Sequence, residues 1–155
     1  REGRADRHRL REVFFRAWGR YRAGLPLEGV EATIVAVARE HPEYHALLEN
    51  PAGFEDHDFS PESGRENPFL HMAMHLTIEE QLSGDRPAGI RALHRRIRAR
   101  SADEHAARHA MMECLGETLW QAQRDGALPD EDRYLDCLGR RGGTAGLSPH
   151  REKSR

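Results

Sequence analysis

Apolar residues recur along most of this chain at intervals of three and four positions. This is the period of an α-helix that buries one face. The first such stretch covers residues 5–22, and its apolar positions are Leu10, Val13, Phe14, Ala17, Trp18 and Tyr21. No segment of useful length alternates apolar and polar residues as a half-buried strand would. The pattern therefore predicts an all-α protein.

Proline, glycine and capping residues divide this pattern into separate helices. The predicted helices cover residues 5–22, 27–40, 42–49, 67–82, 89–100, about 101–124 and 130–138. Ser101, three residues before Glu104, fits a capping box at the start of the last long helix. The expected architecture is a helical bundle of about four main helices plus short helices. We expect one domain over residues 1–139, a long loop over residues 50–66 and a disordered tail over residues 140–155.

The helix that starts at Asn67 carries the first candidate chemistry. Asn67 suits an N-cap and Pro68 suits the first helical turn. His71, His75 and Glu79 follow at intervals of four residues, so two imidazoles and a carboxylate lie on one helix face. The same spacing returns in the helix after Ser101, as His105, His109 and Glu113. Two such ladders on long helices predict one metal site built by both.

Imidazole and carboxylate are the ligands that zinc, iron and manganese take in helical bundles. A further pair, His41 and His45, brackets Pro42, and His45 is the preferred ligand of the two because it lies inside its helix. We expect two divalent metal ions in a di-iron-like arrangement, with iron first and zinc or manganese next. The predicted ligands are His41, His45, His71, His75, Glu79, His105, His109 and Glu113.

Several alternatives stay open for these side chains. The histidines could be structural hydrogen-bonding residues, or form a catalytic His/Glu site without metal. Glu80 and Glu117 are expected to support the ligands, although Glu117 could itself be one. The remaining histidines lie in charged or loop surroundings and are expected at the surface; they are His8, His57, His94 and His150.

Composition limits the classes of partner and compartment. The 155-residue chain has a net charge of −2, so it has no general attraction to nucleic acid or to an anionic membrane. No apolar run approaches a membrane span, and residues 1–9 lack the apolar core of a signal peptide. Cys114 and Cys137 have no metal-binding spacing, and we expect reduced thiols in a cytoplasmic protein.

A second hypothesis concerns the basic helix over residues 91–100. It would make the chain a non-catalytic interaction module that binds a protein or RNA partner, while the histidines only pack. No aromatic residues are interleaved with its arginines, so a solvated helix face is the preferred interpretation. A third hypothesis is a hydrolase with one zinc ion and Glu113 or Glu117 as base, but the sequence has no H-E-x-x-H. Neither the reaction nor the oligomeric state follows from the sequence.

Several motifs also carry a resemblance to a known family. They are His41-Pro42-Glu43-Tyr44-His45, Asn67-Pro68-Phe69-Leu70-His71-Met72, Asp85-Arg86-Pro87-Ala88-Gly89-Ile90 and Met112-Glu113-Cys114-Leu115-Gly116-Glu117. Over residues 7–138 the chain resembles the bacterial family catalogued as domain of unknown function 1841. The resemblance implies a small bacterial protein with no assigned activity, and it carries over no catalytic residue. The metal prediction therefore rests on residue spacing alone.

Overall fold

A computed structural model describes residues 2–54 and 67–143 of the chain. These residues form eight α-helices, and no strand occurs among them, which confirms the all-α prediction. The helices are α1 (Glu2–Arg22), α2 (Val30–Arg39), α3 (His45–Leu48), α4 (Pro51–Phe54), α5 (Pro68–Gly84), α6 (Ile90–Ala99), α7 (Glu104–Asp125) and α8 (Glu131–Arg141). A 3₁₀ turn over Pro42–Tyr44 precedes α3. In the described part of the chain, no helix has an apolar stretch long enough to cross a membrane.

The helices form two compact units, Arg1–Leu76 and Thr77–Arg155, and the division falls within α5. In the first unit, the predicted apolar stripe of α1 packs against α2, α3 and the start of α5. Phe14 is fully buried, and its ring centroid lies 6.3 Å from that of Phe69. The indole N–H of Trp18 donates to Glu49 at 3.3 Å.

The second unit packs α6, α7 and α8 together with the last turns of α5. Ile90 and Ile97 are the buried apolar residues of α6, while its arginines stay at the surface. In α8, Tyr134 is buried and its hydroxyl donates to Gln81 on α5 at 2.6 Å. This partly buried hydrogen bond joins α8 to α5 within the second unit.

Helix boundaries differ from the predicted ones where a cap overrides the apolar pattern. Helix α2 starts three residues late because Gly29 before it has a positive φ of 59°. The cap of α7 is Asp103, which accepts from the N–H of Ala106 at 2.8 Å. The predicted capping box at Ser101 is wrong, since that hydroxyl donates to the carbonyl of Ile97 instead. In this way Ser101 closes α6 rather than opening α7.

Helical residues occur both within the long predicted loop and at the start of the predicted tail. Residues Pro51–Phe54 form one helical turn inside the predicted loop over residues 50–66, and residues 55–66 lie outside the described part of the chain. Helix α8 continues through Arg141, two residues into the predicted tail. Residues 144–155 of that tail also lie outside the described residues.

Reduced cysteines were the wrong expectation. Cys114 on α7 and Cys137 on α8 form a disulfide with a Cα–Cα distance of 5.7 Å. Residue spacing along the sequence could not predict this pair, because the bridge depends on how α7 and α8 pack. The bridge joins two helices of the second unit.

Candidate metal centre

His41 is brought into the protein interior by the break that Pro42 makes after α2. A residue before proline avoids helical geometry, and His41 has φ −126° and ψ 68°. This backbone turns the imidazole inward, where it is only 2% exposed. Its Nδ1 lies 2.8 Å from the carbonyl oxygen of Val37, one turn back on α2. Because a carbonyl only accepts, Nδ1 carries the proton, and in the neutral ring Nε2 holds the lone pair.

Two imidazoles of α5 lie beside His41. The ring centroid of His41 is 5.1 Å from that of His71 and 4.6 Å from that of His75. The two α5 rings are themselves 5.1 Å apart, as expected for residues one turn apart on one face. His75 is 1% exposed and His71 is half-buried. Tyr44 stacks on His41 with a ring-centroid distance of 5.5 Å.

A fourth histidine completes a group of possible metal ligands. One ring nitrogen from each of His41, His71, His75 and His109 lies within 4.8 Å of the other three. His109 is half-buried on α7. This group of four histidines could hold a metal ion. Four imidazoles are a donor set for zinc, copper, iron or nickel rather than for magnesium or calcium.

The structure places His45 apart from these four side chains. Its Nε2 lies 2.7 Å from the carbonyl oxygen of Ala38. Its ring packs on Trp18, with a centroid distance of 4.5 Å. The preference for His45 over His41 therefore does not match the geometry, because the residue at the helix break is the one that joins the other imidazoles. The carbonyl of Val37 also contributes, because it holds the His41 ring, and its position four residues before His41 is a usable signal in the sequence.

Both predicted carboxylate ligands have arginine partners. Glu79 makes a two-point contact with Arg108, at 2.7 and 3.2 Å. Glu113 is mostly exposed and pairs with Arg141. Arg108 thus contacts both carboxylate oxygens of Glu79, and Arg141 contacts Oε1 of Glu113. The group of possible ligands in the described residues is therefore imidazole alone.

Among the described residues, the other histidines and glutamates of interest are not part of this group. His105 is exposed, and its ring centroid is 4.2 Å from that of His109. His94 lies 2.7 Å from Glu104 and is half-buried. Glu80 is exposed, and Glu117 lines a cavity in the second unit. His57 and His150 lie outside the described residues.

Part of the positive charge of α6 is used within the second unit. The Arg91 guanidinium donates to the carbonyl of Leu82 at 2.7 Å and also to that of Ser83. Arg98 pairs with Glu104 at 3.6 Å. Arg95 is one of the α6 arginines that are exposed to solvent. Binding of a protein or RNA partner by this helix stays a prediction.

A family model described as "Domain of unknown function (DUF1841)" matches residues 6–140. No curated protein and no solved structure matches the chain. The match covers most of both compact units and includes all four clustered histidines and both cysteines. The chain therefore belongs to the DUF1841 family.

Proposed function

We propose that this protein binds one divalent transition-metal ion through His41, His71, His75 and His109. The observation that carries the proposal is the orientation of His41. Its Nδ1–H is held by the Val37 carbonyl, while its ring lies against the two α5 imidazoles. Metal-binding histidines use this arrangement, in which a carbonyl fixes the tautomer and directs the other nitrogen to the ion.

Burial supports the proposal further. His41 and His75 are 2% and 1% exposed, whereas imidazoles are usually only partly buried in proteins. Met72, the neighbour of His71 on α5, is fully buried and belongs to the apolar core of the first unit. A ligand group inside a rigid, packed environment holds its geometry before the ion arrives, which favours tight binding.

The number of ions in this proposal is one rather than two. A di-iron-like site needs carboxylates that bridge the ions. Glu79 and Glu113, which would have supplied them, are paired with Arg108 and Arg141. Zinc is the first metal to test, because it accepts four nitrogen ligands in tetrahedral geometry. With all four positions filled by protein, the proposed role is structural, since no position is left for a reacting water.

Equilibrium dialysis against Zn²⁺, Fe²⁺ and Mn²⁺ tests the proposal directly. Each of the four ligands is replaced in turn, for example by His75→Ala or His109→Ala. We expect wild-type protein to bind one zinc ion, and each replacement to weaken binding at least about 100-fold, more than loss of a supporting residue does. Thermal unfolding with and without metal gives a second measure, since ligand at 100 times its Kd adds about 2.7 kcal/mol.

Matched control variants come from the predicted ligands that lie elsewhere in the structure. His45→Ala, Glu79→Gln and Glu113→Gln should leave the zinc affinity within about threefold, because these side chains are outside the group. Wild-type protein that binds none of the three metals would contradict the proposal. So would a zinc affinity that falls equally in the four ligand variants and the three controls.

A further inference from the structure

The disulfide forms part of the wall of a cavity in the second unit. The cavity has a volume of about 280 Å³ and lies between α7 and α8. Cys114 and Cys137 both line it, together with charged side chains of both signs: Glu117, Arg133, Asp136 and Arg140. Its volume is just below the range of about 300–1,000 Å³ that is common for small-molecule sites. A ligand for it would be small and polar.

Asp136 has an incomplete set of hydrogen bonds in this cavity. Its Oδ1 atom is buried, and no residue that the structure describes donates a hydrogen bond to it. A buried carboxylate oxygen is strongly destabilising without a donor, so such an atom indicates a group that fits against it. Arg133 and Arg140, three residues before and four after, share its helix face. The cavity thus offers an acceptor for an amine and guanidinium groups for a carboxylate.

The disulfide adds a reactive group to these polar contacts. Cys114 is fully buried, whereas Cys137 is 9% exposed, so a thiol in the cavity reaches Cys137 first. We propose that the cavity binds a small thiol that carries both an amino and a carboxylate group, of the cysteine class, and that this thiol exchanges with the disulfide. The amino group donates to Asp136 and Glu117, and the carboxylate accepts from Arg133 and Arg140.

The exchange is balanced in two steps. The thiolate of the small molecule attacks Sγ of Cys137, forming a mixed disulfide and breaking the bond to Cys114, whose sulfur leaves as a thiolate and takes up a proton. A second molecule of the same thiol then attacks the sulfur of the bound first molecule and releases Cys137 as a thiol. The protein disulfide gains two electrons, and two small thiols are oxidised to one small disulfide.

Four thiols of similar size separate recognition of the charged groups from simple reduction. L-cysteine has both groups, cysteamine the amine alone, 3-mercaptopropionate the carboxylate alone and 2-mercaptoethanol neither. Rates of reduction of the oxidised protein are compared at equal thiolate concentration. We expect L-cysteine to react at least about tenfold faster than 2-mercaptoethanol, because hydrogen bonds to charged groups stabilise its complex by at least that factor. We also expect the rate to saturate as the L-cysteine concentration rises. Equal rates for all four thiols would overturn the proposal.

Variants locate the selectivity in the cavity. Asp136→Asn should reduce the preference for L-cysteine over 3-mercaptopropionate, which lacks the amine. Arg140→Gln should reduce the preference for L-cysteine over cysteamine, which lacks the carboxylate. The matched controls are Asp132→Asn, an exposed carboxylate on the same helix, and Arg95→Gln, an exposed arginine on α6. Both controls should keep the wild-type ratios. Loss of selectivity in the controls, or wild-type ratios in both cavity variants, would overturn the assignment. Far-UV circular dichroism checks folding, and the wild-type thiol comparison holds whether or not a variant folds.

Discussion

Reduction of the Cys114–Cys137 bridge should destabilise the protein by an amount that follows from its position in the chain. The two cysteines are 23 residues apart. A cross-link over a segment of this length removes enough entropy from the unfolded chain to add about 3 kcal/mol of stability. For a chain of this size, 1 kcal/mol corresponds to about 2–4 °C, so the reduced protein should unfold about 10 °C lower.

The assay is thermal unfolding followed by circular dichroism, with oxidised and reduced samples side by side. Thiol titration first establishes the two states, which should give no free thiol before reduction and two after it. The double variant Cys114→Ala plus Cys137→Ala is the control, since reductant should not change its unfolding temperature. Oxidised and reduced wild-type samples that unfold within about 2 °C of each other would refute the chain-entropy reasoning.

Three further predictions follow from single side chains, each measured by urea denaturation. Phe14→Ala empties a fully buried position and should lower the free energy of unfolding by about 3–5 kcal/mol; a loss below about 1 kcal/mol would contradict the packing. Asp103→Ala removes the cap of α7 and should lower the free energy of unfolding by about 1 kcal/mol. An unchanged free energy of unfolding would show that Asp103 does not cap this helix. Hydrogen bonds from the backbone N–H groups of Arg91 and Gly89 lower the pKa of Asp85 below its ordinary 3.8. The Asp85 carboxylate therefore stabilises the fold above pH 3.8, and this stabilisation is lost as the pH falls through the pKa of the folded state. Asp85→Asn should therefore be less stable than wild type at pH 7, with a difference that shrinks in acid; a constant difference would contradict this.

The sequence predicted the helices well because their apolar stripes are long. The stripe of α1 matches the buried side of that helix at Phe14, Ala17 and Trp18. Helix ends were harder to predict, because several residues near an end can act as the cap. Both Ser101 and Asp103 suit a cap, and only the packed structure assigns Asp103 to α7 and Ser101 to the end of α6.

Residue spacing identified some of the neighbouring histidines, and the contacts that it did not indicate have a common physical origin. Spacing identifies which side chains share a helix face, and it correctly placed His71 beside His75. It does not reveal partners from other segments. Arg108 lies 29 residues from Glu79 in the sequence, yet its guanidinium takes both carboxylate oxygens. Likewise, the spacing could not indicate that the His45 ring would pack on Trp18 and contact the carbonyl oxygen of Ala38.

The buried phenol of Tyr134 makes the second unit observable by its own absorbance. Burial raises the pKa of Tyr134 well above its ordinary value of 10, because an ionised phenolate would lose its hydration. Its contribution to stability is complete below pH 10 and declines as the pH rises toward the folded-state pKa. An ultraviolet phenolate band from this residue should therefore develop only when Tyr134 loses its hydrogen bond to Gln81 and becomes exposed to water. Alkaline spectrophotometry can thus follow the opening of this unit without any added dye or label.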